Sequence, residues 1–230
     1  MKKIIWIDDN MGKMAFLAKH LFPRLWNKKY FNHIIFAGNH YAKDNPNISR
    51  SERARKDFNN DMSSYFDIFC RDSIDDDDDN DTPMKEWNLN ENLYPQWDIF
   101  DEREEQIIEQ KIKNRIYGLF KEDTFIGIDL CLLIKDEEQK DETLAMKLFY
   151  FYFFEKNIKS TFLYSNFKNE KAEKREWVNK FIEHHKDIEQ QKDKIIIHSG
   201  YELAKKSSGE ELERFLKFLE LGSINGIEQK

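Results

Sequence analysis

Short, continuously apolar runs alternate along this chain with longer stretches whose apolar residues recur every three or four positions. Ile4, Ile5, Trp6 and Ile7 form the first run, largely β-branched and flanked by polar residues, which predicts a buried strand. Met14, Leu17, Ala18, Leu21 and Phe22 then fall at helical spacing, with Pro23 as the expected stop. Residues 31–37 predict a second strand, broken by Gly38 and Asn39. The same alternation returns later in the chain. Strands are predicted over 124–130, 160–165 and 194–200, and helices over 141–156, 169–185 and 210–221. The last helix carries Leu212, Phe215, Leu216 and Leu219 as its apolar stripe. Strands that are apolar throughout and separated by helices predict an α/β fold: a five-stranded parallel sheet covered on both faces.

The middle of the chain breaks this pattern. Residues 45–92 are polar, have no sustained apolar period and include the run DSIDDDDDNDTP from Asp72 to Pro83. Like charges packed this closely repel and bury no apolar area, which predicts a solvated loop. Clustered carboxylates suit calcium, but the spaced ligands and turn glycine of an EF-hand loop are missing. A helix is predicted over 102–120, with Ile107, Ile108, Ile112, Ile116 and Leu119 on one side. The expected organisation is therefore one domain from 1–44 plus 122–222, an insertion over 45–121 and a tail over 223–230.

Composition narrows the function classes. The 19 Phe, 9 Tyr and 5 Trp supply a core, and the formal net charge of −7 argues against a general nucleic-acid binder. Much of the acid excess is local, which leaves room for a basic patch elsewhere. Cys70 and Cys131 fit no zinc or redox spacing, and no apolar stretch is long enough to span a bilayer. The expected setting is a reducing cytoplasm. His184 and His185 point in different helical directions, and His20, His33 and His40 lack a partner pattern. The aromatic run at 149–154 reads as core or interface, not as a cofactor box.

In an open parallel sheet, ligands bind outside the carboxyl ends of the strands. The residues there are Asp8 and Asp9, Gly38 and Asn39, Asp129, Ser165, and His198 and Ser199. If the first and third strands are neighbours, Asp8, Asp9 and Asp129 converge. Such an oxygen-ligand set, completed by water, suits Mg2+.

This order of strand ends resembles the receiver domain of two-component response regulators. "IIWIDDN" looks like that family's first strand with its acidic pair, and "IIFAGNHYA" like its second strand running into a helix. "FIGIDL" looks like the third strand, "TFLYSN" the fourth, "KIIIHSGY" the fifth, and "GEELERFLKFL" the last helix. The resemblance implies a flavodoxin-like, doubly wound sheet of order 2-1-3-4-5, with the large insertion between the second and third strands. It implies magnesium at Asp8, Asp9 and Asp129, a phosphoacceptor at Asp129 and a switch hydroxyl at Ser165. It also implies a protein partner, either a histidine kinase or a downstream effector, and no direct contact with nucleic acid or membrane.

The chain departs from that pattern in several places. The family ends its fifth strand in a lysine, usually before a proline. Here the stretch is His198, Ser199 and Gly200, with His198 the nearest substitute. The usual proline after the phosphoacceptor is also missing, and no DNA-binding domain is expected after the last helix. Two other functions stay open: a pseudo-receiver serving as an interaction scaffold, and a magnesium-dependent phosphohydrolase. The second lacks an evident nucleophile–base pair or phosphate-cradling glycine loop. Structural roles stay open too. Asp8 or Asp9 could cap the first helix, Asp129 could be a structural turn or buried acid, Ser165 an ordinary strand-end or cap hydroxyl, and His198 a hydrogen-bonded strand-end histidine.

Overall fold

The computed structural model describes residues 2–9, 11–36, 105–132, 143–165, 197–205 and 209–222. The acidic stretch 45–92, the helix expected over 169–185, the tail, Cys70, His40, His184 and His185 lie outside them. The chain divides into two compact units, Met1–Thr124 and Phe125–Lys230, taken here in turn. The described elements are helices and parallel strands, an α/β fold.

In the first unit, β1 (Lys2–Asp8) pairs in parallel with β2 (Tyr30–Phe36), Lys2 opposite Tyr30 and Asp8 opposite Phe36. Ile4, Ile5, Trp6 and Ile7 have no exposed surface, so both faces of β1 are covered, as its continuous apolar run requires. The connection is α1 (Met11–His20) followed by α2 (Phe22–Asn27). Met14, Leu17, Ala18, Leu21 and Phe22 are all buried, and the Phe22 ring lies 5.4 Å from the Trp6 ring. Pro23 does not end this region. It sits in the first turn of α2, where its missing N–H leaves no intrahelical bond unmade. Trp6 Nε1 donates to Asn32 Oδ1 across the strand pair at 2.8 Å, satisfying the indole inside the core. Helix α3 (Glu105–Leu119) buries Ile108, Ile112 and Ile116 at a spacing of four; Ile107 is exposed and lies off that stripe.

In the second unit, β3 (Thr124–Asp129) pairs in parallel with β4 (Thr161–Ser165), which pairs in parallel with β5 (Ile197–Ser199). The expected helix over 141–156 is shorter and changes type. It runs as α4 (Leu144–Tyr150), capped by the Thr143 hydroxyl accepting from Met146 N, and widens into a π-helical turn over Phe151–Glu155. Lys156 N donates to Phe151 O, five residues back, and Asn157 ends the turn in the left-handed region at φ 57°. Of the strand expected over 194–200, residues 194–196 lie outside the described residues; β5 ends at Ser199, because Gly200 already begins α5 (Gly200–Ala204). The Ser199 hydroxyl caps that helix by accepting from Glu202 N. Helix α6 (Gly209–Leu221) buries Phe215, Phe218 and Leu219 and ends at Gly222, φ 70°, whose N–H donates to Phe218 O.

Candidate functional site

The tip of β1 is where the first unit departs from an ordinary apolar core. Asp8 has no exposed surface and Asp9 only 7%. Burying a carboxylate costs several kcal/mol, of order, unless hydrogen bonds or a cation compensate it. Asp8 closes the strand opposite Phe36, and Asp9 occupies the bend before α1. No acid stands within the first turn of α1 itself. The sequence positions the pair simply. A strand that is apolar on both faces carries its first polar side chains where the chain leaves the sheet.

The tips of β3, β4 and β5 form a row in the second unit. Asp129 closes β3, is fully buried and lies opposite Tyr164. Leu130 N donates to Tyr164 O at 2.8 Å, and Leu132 N turns back to Asp129 O at 3.2 Å, so the chain bends sharply at the acid. Ser165, one residue beyond Tyr164, is 1% exposed and lies opposite Ser199. The carboxyl edge therefore presents Asp129, Ser165 and Ser199 in order along neighbouring strands. Cys131, two residues past Asp129, is half-buried and in no disulfide.

His198 occupies the β5 end but does not act as a surface cation. It is fully buried, and its ring lies 4.9 Å from Phe215, 5.7 Å from Phe162 and 5.8 Å from Phe218. Nδ1 meets Glu211 Oε1 of α6 at 2.8 Å, and Arg214 Nη2 reaches the same oxygen at 3.0 Å and Ile197 O at 3.2 Å. Nε2 is buried and has no hydrogen-bond partner among the described residues. Burial pushes the His198 pKa down more than the Glu211 carboxylate pushes it up, and Arg214 adds to the lowering. Burial alone would raise Glu211, but the bonds from His198 and Arg214 hold its carboxyl below the usual range. The geometry fits a neutral imidazole whose Nδ1–H donates to a charged Glu211. Such a ring lacks the charge of the lysine that the resemblance leads one to expect at this place, and it faces α6 instead of the strand tips. The Glu211–Arg214 partnership escaped sequence reading, because a strand end and a helix thirteen residues away share no local pattern.

Comparison with protein-family models, with curated proteins and with solved structures finds no match to this chain. Among the described residues, no helix is long and apolar enough to cross a membrane.

Proposed function

We propose that this chain is a receiver-like signalling module that binds Mg2+ through Asp8, Asp9 and Asp129 and accepts a phosphoryl group on Asp129. The observation that carries the reading is the set of three buried acids. Asp8 and Asp9 stand at the end of β1 in the first unit and Asp129 at the end of β3 in the second, and all three are buried. The parallel pairing of β1 with β2 in one unit, and of β3 with β4 and β4 with β5 in the other, supports the flavodoxin-like part of the reading, which would put the insertion between β2 and β3. An all-carboxylate donor set fits a hard cation. Magnesium holds its ligands at about 2.1 Å and keeps several waters, so some of these acids would bind through water. The ion would offset the repulsion among the acids and polarise a phosphoryl oxygen.

The chain's own groups then have distinct tasks. A carboxylate oxygen of Asp129 would attack the phosphorus of a partner's phosphohistidine as the P–N bond breaks, the imidazole leaving with a proton. The Ser165 hydroxyl, at the next strand tip, would donate to a phosphoryl oxygen. The new charge and strong acceptors are the kind of local change that shifts neighbouring elements. Beryllofluoride with magnesium tests this reading. It is expected to raise the melting temperature of the wild type and shift the Asp129 resonances, and to do neither in Asp129→Asn. An equal response in the variant, or none in the wild type, removes the phosphoacceptor role.

A second reading rests on His198. Its buried, α6-facing ring, with a lowered pKa, stands at the β5 end where receivers carry the positive group that grips phosphate. On that reading the module is a scaffold that engages a partner without phosphorylation, and magnesium binding without a beryllofluoride response is its signature.

A further inference from the structure

The acidic tip has a basic counterpart at the opposite end of the first unit's strands. Lys2 and Lys3 open β1, Lys28 and Lys29 form the turn into β2, and Lys121 precedes β3. Backbone bonds hold these segments side by side. Lys2 N donates to Lys29 O at 3.2 Å, Lys3 N to Asp123 O at 3.1 Å, and Thr124 N to Lys121 O at 2.9 Å. Lys28, Lys29 and Lys121 are exposed. Among the described residues no ion pair engages Lys3, Lys28, Lys29 or Lys121. Partial burial and then the charge of Lys121 lower the Lys3 pKa. Glu122 and Asp123, both exposed, follow Lys121 among the described residues.

The rest of the chain carries the complementary charge. Met1 to Phe36 holds seven basic and two acidic side chains, whereas residues 37–104 hold eight basic and eighteen acidic. The overall acidity of the protein thus arises in that segment, most densely at residues 72–81. We infer that the lysine edge is a docking surface for a run of carboxylates, and that its occupant is the chain's own 72–81 run. Reach is not limiting. The seven residues of β1 span about 23 Å at roughly 3.3 Å each. The 35 residues between Phe36 and Asp72 span roughly 30 Å even as a random chain. Tethering supplies an effective concentration in the millimolar range, about what an outside polyanion would have to exceed. Individual exposed pairs are weak, so the association depends on many charges at once and on low salt.

Zero-length carbodiimide cross-linking of the full chain, read by mass spectrometry, tests the inference. At about 50 mM salt, cross-links from residues 72–81 to Lys28, Lys29 and Lys121 should exceed those to the exposed Lys217 roughly fivefold. They should be within one chain, and they should fall to parity near 1 M salt, where the Debye length is about 3 Å. Added heparin should compete them away. Cross-links spread evenly over the lysines, cross-links only between chains, or heparin binding that leaves them intact would each overturn it. Asp129→Asn should give the wild-type pattern, so this result stands apart from the fate of the phosphoacceptor reading.

Discussion

At the scale of single residues, His198 ties chemistry to stability. An unfolded histidine titrates near 6.5. Burial lowers the folded value, so the unfolded chain takes up the proton first as pH falls. The His198 contribution to stability is therefore fully present above about 6.5 and declines as pH drops from there toward the depressed folded value. Glu211, also lowered in the fold, adds a loss in the same direction at lower pH. We expect His198→Phe, which fills the same aromatic surroundings without a titrating group, to flatten the fall in melting temperature between pH 7.5 and 5.5. At pH 7.5 it should stay within about 1 kcal/mol of the wild type. Identical slopes for both proteins would place the titration elsewhere. The sequence marked His198 as a residue of interest because it ends a strand. It did not tell which side of the sheet the ring faces, since that depends on where the strand begins and on what α6 offers.

At the scale of elements, β3 and β4 fit closely. Gly127 lies opposite Phe162, and a Cβ at 127 would fall 2.6 Å from the Phe162 ring, inside contact distance. The ring lies over the glycine and packs edge-on against Phe215 and Phe218, so it joins the two strands to α6. Gly127→Ala should destabilise the protein by about 1–3 kcal/mol, seen as a lower denaturant midpoint with an unchanged slope. Gly118, with open space around it, is the control. Strand identities were readable from continuous apolar runs, and α6 from its stripe of Phe215 and Leu219. Element ends were less so. Pro23 signals both the end of a helix and the first turn of another, and only the backbone distinguishes them. The π-helical turn at Phe151–Glu155 has no periodic signature of its own within so aromatic a run.

At the scale of the whole molecule, ligand binding and stability are the same measurement. A cation held only by the folded chain stabilises it by about 2.7 kcal/mol when present at a hundred times its Kd. On the proposed reading, magnesium should raise the melting temperature of the wild type, and Asp9→Ala should abolish the rise. A rise of equal size in the variant would move the ion to another site, such as the acidic run at 72–81. The sequence suggested Asp8, Asp9 and Asp129 because a parallel sheet places strand ends on one edge. It also hinted that the acidity was local, leaving room for a basic surface. That surface became visible only with the backbone, because Lys3, Lys29 and Lys121 are far apart along the chain and are joined by the start of three strands.

The bond from Lys3 N to Asp123 O has a consequence in time. During synthesis, β1 and β2 emerge early, but the residue that meets Lys3 is not made until more than half of the 230 residues exist. At roughly 5–20 residues per second the ribosome needs on the order of ten seconds to cross that interval. Throughout it, the far edge of β1 offers unpaired backbone groups to any extended chain nearby. The nascent protein thus passes through a stage open to chaperones and to mispairing, which ends at Lys3 once Asp123 is made.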